Sequence, residues 1–213
     1  MKIVFIFVEG DTEENFTKTI LSPHLKNFGL HLKEFNCKGT IKYRSLLRKL
    51  ILRQANESNI SLVTTMFDFY KLPRDFPGKS DLSLNSCYER VAHLEQAFIE
   101  DISHQKFSPF VMLHEFEALL FSDPVEIAKA FPGKDESHEL QKIKTAHRNN
   151  PEEINDDETT APSKRLEKIF RSPKYDKVIH GPAIIQQIGL EKIRTECAHF
   201  NEWLTRLESV SQA

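Results

Sequence analysis

At 213 residues, 39% of them hydrophobic and 16 of them Phe, the chain has material for a substantial core at a length that α/β domains commonly reach. Lys and Arg total 29 against 31 Asp and Glu, a formal charge of -2, which excludes the strongly basic balance of a dedicated nucleic-acid coat and leaves any such contact to local patches. Cys37, Cys87 and Cys197 are odd in number and far apart, without a CxxC pair. They argue against a disulfide framework or structural zinc and for reduced thiols in a cytoplasm.

Residues Lys2 to Val8 (KIVFIFV) form a nearly continuous β-branched and aromatic run, as expected of a strand buried on both faces in a parallel sheet. The run is too short for a membrane span of ~20 residues, and no small-residue cleavage site follows it. Glu9 comes at its carboxyl end, Gly10 permits a tight turn, and Asp11 or Thr12 caps a helix predicted over 12–28. Lys33 to Cys37 supplies a further strand candidate. A helix over 41–56 carries Leu46, Leu47, Leu50 and Ile51 at helical spacing, with Lys42, Arg44, Arg48, Lys49 and Arg53 on its outer face. Ile60 to Phe67 (ISLVTTMF) is the next strand, and Asp68 ends it. Pro73, Pro77 and Gly78 then shape a loop before a helix over 84–103.

A strand over 107–116 leads into Glu115 and Glu117, followed by a helix over 117–130. If the strand continues through Phe116, the two acids share a face, and if a helix starts there they diverge. His114-Glu115 begins like a zinc-protease motif, but Ala118 stands where the second His of HExxH belongs. The stretch 133–160 is poor in large apolar residues and crowded with Glu152, Glu153, Asp156, Asp157 and Glu158, which reads as an acidic loop. Helices resume over 164–171 and 183–207, the latter divided in two at Gly189. Phe200, Trp203, Leu204 and Leu207 make a core-facing stripe. Lys164, Arg165, Lys168, Arg171, Lys174, Lys177 and His180 form a basic run with Phe170 and Tyr175 interleaved. It reads either as a solvated surface or as a phosphate- and base-contacting patch.

The alternation of strands and helices predicts an α/β chain with a mostly parallel sheet flanked by helices. The expected organisation is a core over 1–132, the acidic loop over 133–160 and a helical extension over 161–213, in one structural domain. Glu9, Asp68 and Glu115 or Glu117 each follow an apolar run, and ligands of open α/β sheets bind where strands end. Two carboxylates about 4 Å apart repel by roughly 4 kcal/mol at an effective dielectric near 20, so convergence of these acids calls for a cation, and hard oxygen donors favour Mg2+ or Mn2+. The competing reading is that Glu9, Asp11, Glu13 and Glu14 only complement a helix N-terminus and that Asp68 only forms a turn. Glu9 fits that reading poorly, because it precedes the turn.

These residues resemble a known family. A strand ending in Glu-Gly, an acid four residues later and a further strand ending in Asp look like the Toprim domain of topoisomerases, bacterial primases, recombination-associated proteins and overcoming-lysogenization-defect nucleases. VEGDTE is similar to the opening motif of the last group. Together VEGDTEENF, FDFYKLPRDFPG, HEFEALLFSDP, APSKR and HFNEWL resemble the bacterial domain of unknown function 4276 over nearly the whole chain. The resemblance implies a Toprim-like (Rossmannoid) fold, a Mg2+ or Mn2+ site and nuclease chemistry on nucleic acid, with a link to phage defence beside an ATPase protein partner. By it Glu9 matches the Toprim glutamate and Asp68 the first Asp of the DxD motif, while Tyr70 replaces the second. Glu13, Asp75, Glu115 or Glu117 then substitutes as ligand or base, with Glu9, Asp68, Glu115 and Glu117 as metal ligands. Lys164 is the counterpart of a catalytic lysine, and Lys164, Arg165, Lys168, Arg171 and Lys174 hold phosphate. The alternative is a non-catalytic module that binds an ATPase partner or nucleic acid.

Overall fold

The computed structural model describes residues 2–82, 86–133, 136–155 and 160–212. The chain divides into two compact units, Met1–Leu113 with Trp203–Ala213, and His114–Glu202. The division falls after Leu113 rather than after 132, because the segment from Phe116 packs with helices that come later in the chain.

In the first unit, strands β1 (Lys2–Val8), β2 (Leu30–Asn36), β3 (Ile60–Asp68) and β4 (Val111–Met112) form one parallel sheet in the order β2-β1-β3-β4. The α/β architecture expected from the alternating runs is therefore present. β1 is followed by α1 (Asp11–Phe16), a π turn (Thr17–Leu21) and α2 (Ser22–Lys26). Pro23 lies in this run without an N–H to donate, and the wider turn just before it absorbs the missing bond. Helix α3 (Arg48–Asn56) links β2 to β3, and α4 (Cys87–Ile102) links β3 to β4. The apolar stripes of both pack on one face of the sheet, where Ile51, Leu94 and Phe98 meet Phe7, Val63 and Phe67. Phe98 contacts the rings of Tyr43, Phe76 and Phe107 at 4.7–5.4 Å between centroids, within the favourable range for edge-to-face aromatic pairs. On the alternate register Thr64 accepts a 2.9 Å hydrogen bond from Trp203 Nε1, and the indole stacks on Phe110.

The strand expected over 107–116 is confined to Val111–Met112, with an isolated bridge at Phe107. A 3-10 helix starts at Phe116 and runs to Ser122 with every residue buried, so Glu115 and Glu117 do not alternate along a strand. This segment opens the second unit. There, α5 (Pro124–Lys129) is capped by Asp123, whose carboxylate accepts from the N–H groups of Val125 and Glu126.

The stretch read as an acidic loop contains α6 (Ser137–Ala146) and a 3-10 turn at Pro151–Glu153, while Asp156, Asp157 and Glu158 lie outside the described residues. Glu152 is buried because its two oxygens accept the N–H groups of His199 and Phe200, each at 2.9 Å, at the start of α10 (Ala198–Ser209). Helix α7 spans Pro162–Ile169. The region expected as two helices over 183–207 holds three, α8 (Lys177–Ile188), α9 (Leu190–Glu196) and α10. Gly189 at φ 78 makes the first break and extended Cys197 the second. Among the described residues no helix is long and apolar enough to cross a membrane.

Candidate functional site

The strand order fixes where a ligand can meet the first unit. The chain passes from β1 to β2 on one side and returns to β3 on the other, so the carboxyl ends of β1 and β3 flank the switch point of the sheet, the crevice in which open α/β proteins bind ligands. Glu9 directly follows β1, and Asp68 is the last residue of β3. Each is 5% exposed, and the Asp68 N–H donates to Glu9 Oε2 at 3.3 Å. The structure thus brings together two acids separated by 59 positions in the chain. The backbone holds Glu9 from the other side too, its carbonyl accepting the N–H of Gly39 at 2.8 Å.

Glu13 is buried beside this turn, where its Oε2 accepts the Gly10 N–H at 2.9 Å, the acidic half of a capping box at the start of α1. Asp11 and Glu14 are tied to Asn36, and Lys18 and Lys38 pair with them from the surface. These three acids do what helix-start acids ordinarily do, whereas Glu9 lies ahead of the helix with its carboxylate toward β3. Cys37, on the turn after β2, has its thiol pushed up to about 12 by burial and by the charge of Glu9.

Among the described residues no three His, Cys, Asp or Glu side chains form a group able to hold a metal ion. Two buried carboxylates nonetheless fit Mg2+ in donor type and number, since that ion is commonly held by one or two carboxylates with waters and substrate phosphates filling the remaining positions. Tyr70, which stands where a second Asp was expected, belongs to the 3-10 turn Phe69–Lys71. Asp75 is exposed in the loop beyond it. The Phe69 ring lies under Lys79 and Arg90, and Lys79 Nζ donates to the Phe69 carbonyl at 3.0 Å.

In the second unit Glu115 is half-buried and its Oε2 accepts the Ser163 N–H at 3.1 Å, serving as an acceptor for the first turn of α7. Glu117 is buried in the 3-10 helix. Near it lies the Tyr175 hydroxyl, which burial, and then the charges of Glu117 and Glu115, push far above the usual phenol range. Tyr175 is a neighbour of the acids that sequence reasoning missed, since the pattern leaves it either on a solvated surface or as a base-contacting ring. It is 3% exposed, and Phe170 is fully buried against Phe131 at 3.9 Å, so neither ring stacks on a base. Nothing in the local pattern marks them as buried, because Phe131, Glu115 and Glu117 lie 39 or more positions away.

Of the basic run, Lys164 pairs with Glu167 at 2.9 Å on the surface. Arg165 Nε donates to the Thr160 carbonyl and Arg171 Nε to that of Lys168. Lys174 is exposed beyond the bridge it forms with Arg171. The other basic segment, around α3, is partly committed to structure, since Arg48 Nε bonds Asp101 at 2.8 Å.

Residues 8–208 match the model of a family described as Domain of unknown function (DUF4276). No curated protein matches the sequence. Among solved structures the chain is similar to the C-terminal region of the Burkholderia pseudomallei OLD protein, at 16% identity over 98% of this chain and 99% of that one, with a TM-score of 0.46.

Proposed function

The chain belongs to the DUF4276 family, and for it we propose divalent-metal-dependent hydrolysis of phosphodiester bonds in nucleic acid, with Mg2+ or Mn2+ as the ion. The observation that carries this reading is the burial of Glu9 and Asp68 side by side at the switch point of a parallel sheet. Burying a carboxylate is costly unless a cation or hydrogen-bond donors balance it, and both of these residues are withdrawn from water. A bound ion of this class polarises the phosphodiester, lowers the pKa of a bound water and neutralises the leaving oxygen.

The residues of the chain supply the frame for that chemistry. Glu9 and Asp68 hold the ion, and Glu13 fixes the turn that aims Glu9 by occupying the Gly10 N–H. Lys79 and Arg90 add positive charge around Phe69, next to Asp68, where a substrate phosphate gains from it. Glu115 and Glu117 carry no step in this reading. A role in phage defence with an ATPase partner belongs to the same proposal through the sequence motifs.

A second reading, a non-catalytic module that binds an ATPase partner or nucleic acid, is favoured by one observation, Tyr70 in place of a second acid after β3. Cleavage of labelled single- and double-stranded DNA and RNA with Mg2+ or Mn2+ separates the two. The hydrolase reading expects products that vanish in Glu9→Ala and Asp68→Ala while both variants stay folded. Products unchanged in both would remove these residues from the chemistry, and no products from the parent chain would leave the module.

A further inference from the structure

In the first unit a cleft of about 430 Å³ opens where the amino ends of β1 and β3 meet the end of α10. Among the described residues Lys2, Ser61, Leu62, Arg206, Ser209 and Val210 line it, two cations with no carboxylate. Lys2 Nζ donates to the carbonyls of Val210 and Ser211 at 3.0 and 3.2 Å, and Arg206 Nη1 donates to Ser108 Oγ at 3.0 Å. These acceptors fix the cations in place without neutralising them. A hydroxyl is uncharged, and the carbonyl end of a helix amounts to about half a negative charge, so the lining stays net positive. Neither Lys2 nor Arg206 forms an ion pair among the described residues, and the planar guanidinium keeps further N–H donors for a ligand.

The strands lose register at this point. Ile3 pairs with Ile60 and Val4 with Leu62, which leaves Ser61 over as a bulge. Bulges are rare between parallel strands, and next to binding sites they re-aim a side chain. Ser61 and Leu62 would face opposite sides of a regular strand, yet both line the cleft. The Ser61 hydroxyl has no hydrogen-bond partner among the described residues and so adds a donor to the two cations. Leu62 and Val210 give the cleft an apolar side.

We propose that this cleft binds a phosphomonoester, with the phosphate between Arg206, Lys2 and the Ser61 hydroxyl and the organic part against Leu62 and Val210. A phosphomonoester carries about -1.5 to -2 charges at pH 7, which balances two cations, whereas a single carboxylate leaves one of them over. The volume suits a small organic anion, for which pockets run from about 300 Å³ upward. The group comes from a free sugar phosphate or from the 5′ end of a nucleic-acid strand, since both present the same chemistry. Glu9 lies at the far end of β1, about 23 Å away at ~3.3 Å per residue, so the inference does not require the paired acids to be catalytic.

Calorimetric titration of the full chain in EDTA tests it apart from any metal chemistry. The probes are ribose 5-phosphate, ribose, inorganic phosphate, and a short oligonucleotide with and without a 5′-phosphate. Ribose 5-phosphate is expected to bind one to one, with inorganic phosphate weaker for want of the apolar contact and ribose at least about tenfold weaker for want of the charge. Arg206→Ala, at an exposed position, is expected to weaken ribose 5-phosphate about tenfold or more with little change in melting temperature. Ser61→Ala is expected to weaken it a few-fold, and Arg206→Lys to retain part of the affinity. Lys2 stays unchanged in these variants because it also closes the end of α10. Tighter binding of the phosphorylated oligonucleotide identifies a strand end, and tighter binding of ribose 5-phosphate identifies a free sugar phosphate. Absence of binding by both phosphomonoesters, equal affinity for ribose, equal affinity for the unphosphorylated oligonucleotide, or an unweakened Arg206→Ala protein would overturn the proposal.

Discussion

Replacing Glu9 by Gln keeps the shape of the side chain and the acceptor for the Asp68 N–H while removing one of two buried charges. Two unit charges about 5 Å apart at an effective dielectric near 20 repel by about 3 kcal/mol before solvent screening, which sets the upper scale of the repulsion this substitution removes. The metal-free variant is therefore expected to be more stable than the metal-free parent, and Mg2+ should stabilise the parent alone. An ion bound at about 1 mM affinity stabilises the parent by about 1.4 kcal/mol at about 10 mM, or about 3–6 °C for a chain of this length. The variant should show almost none of that gain. The assay is thermal unfolding with and without Mg2+, followed by tryptophan fluorescence, because Trp203 is the one tryptophan of the chain and its indole lies against Phe110 and Thr64 in the first unit. A parent indifferent to Mg2+, together with a Glu9→Gln protein that melts lower in EDTA, would refute the claim that these carboxylates are poised for a cation.

Gly78→Ala places a Cβ 2.9 Å from that of Ala97 and 3.1 Å from His93 Nε2 at φ +74, so strain and overpacking together should cost about 2–4 kcal/mol in urea unfolding. Glu152→Ala strips the acceptors from the His199 and Phe200 N–H groups and should destabilise by about 2 kcal/mol, read as a shift of the urea midpoint. For Asp101, burial raises the carboxyl pKa, but the hydrogen bonds from Tyr43 and Arg48 and the charge of Arg48 outweigh it and leave the group below its ordinary 3.8. That stability is present above 3.8 and lost as pH falls through the folded value, so Asp101→Asn should be less stable than the parent at pH 7, and the gap should close toward pH 2.

What the sequence discloses is what local pattern can encode. The runs Lys2–Val8 and Ile60–Phe67 announce β1 and β3 because strands buried on both faces must be apolar throughout, and Glu9 and Asp68 are legible as the residues that end them. Asp123-Pro124 marks the start of α5 by its cap and its ring. The same rules mislead where the deciding partner is remote. Glu152 looks like one more solvated acid until the start of α10 supplies two donors. Phe116–Ser122 is apolar enough for strand or helix, and its periodicity does not announce the buried 3-10 helix it forms. Tyr175 sits among lysines and an arginine in sequence but among Phe131, His180 and two glutamates in space. Glu13 is expected among the acids that do chemistry, yet its carboxylate takes the Gly10 N–H, the acidic half of a capping box that no Ser or Thr at position 10 announces.

The margins of the sheet bear on behaviour at high concentration. A free strand edge is a template on which a second chain can add a strand, and proteins blunt it with charge or brevity. β2 borders one side, and its exposed His31 and Lys33 alternate with buried Leu30 and Leu32. On the other side β4 is two residues long. Neither margin offers the long, flat, apolar ribbon that cross-β stacking requires, so the aggregation hazard of this aromatic-rich chain lies in its unfolded state, where KIVFIFV is bare.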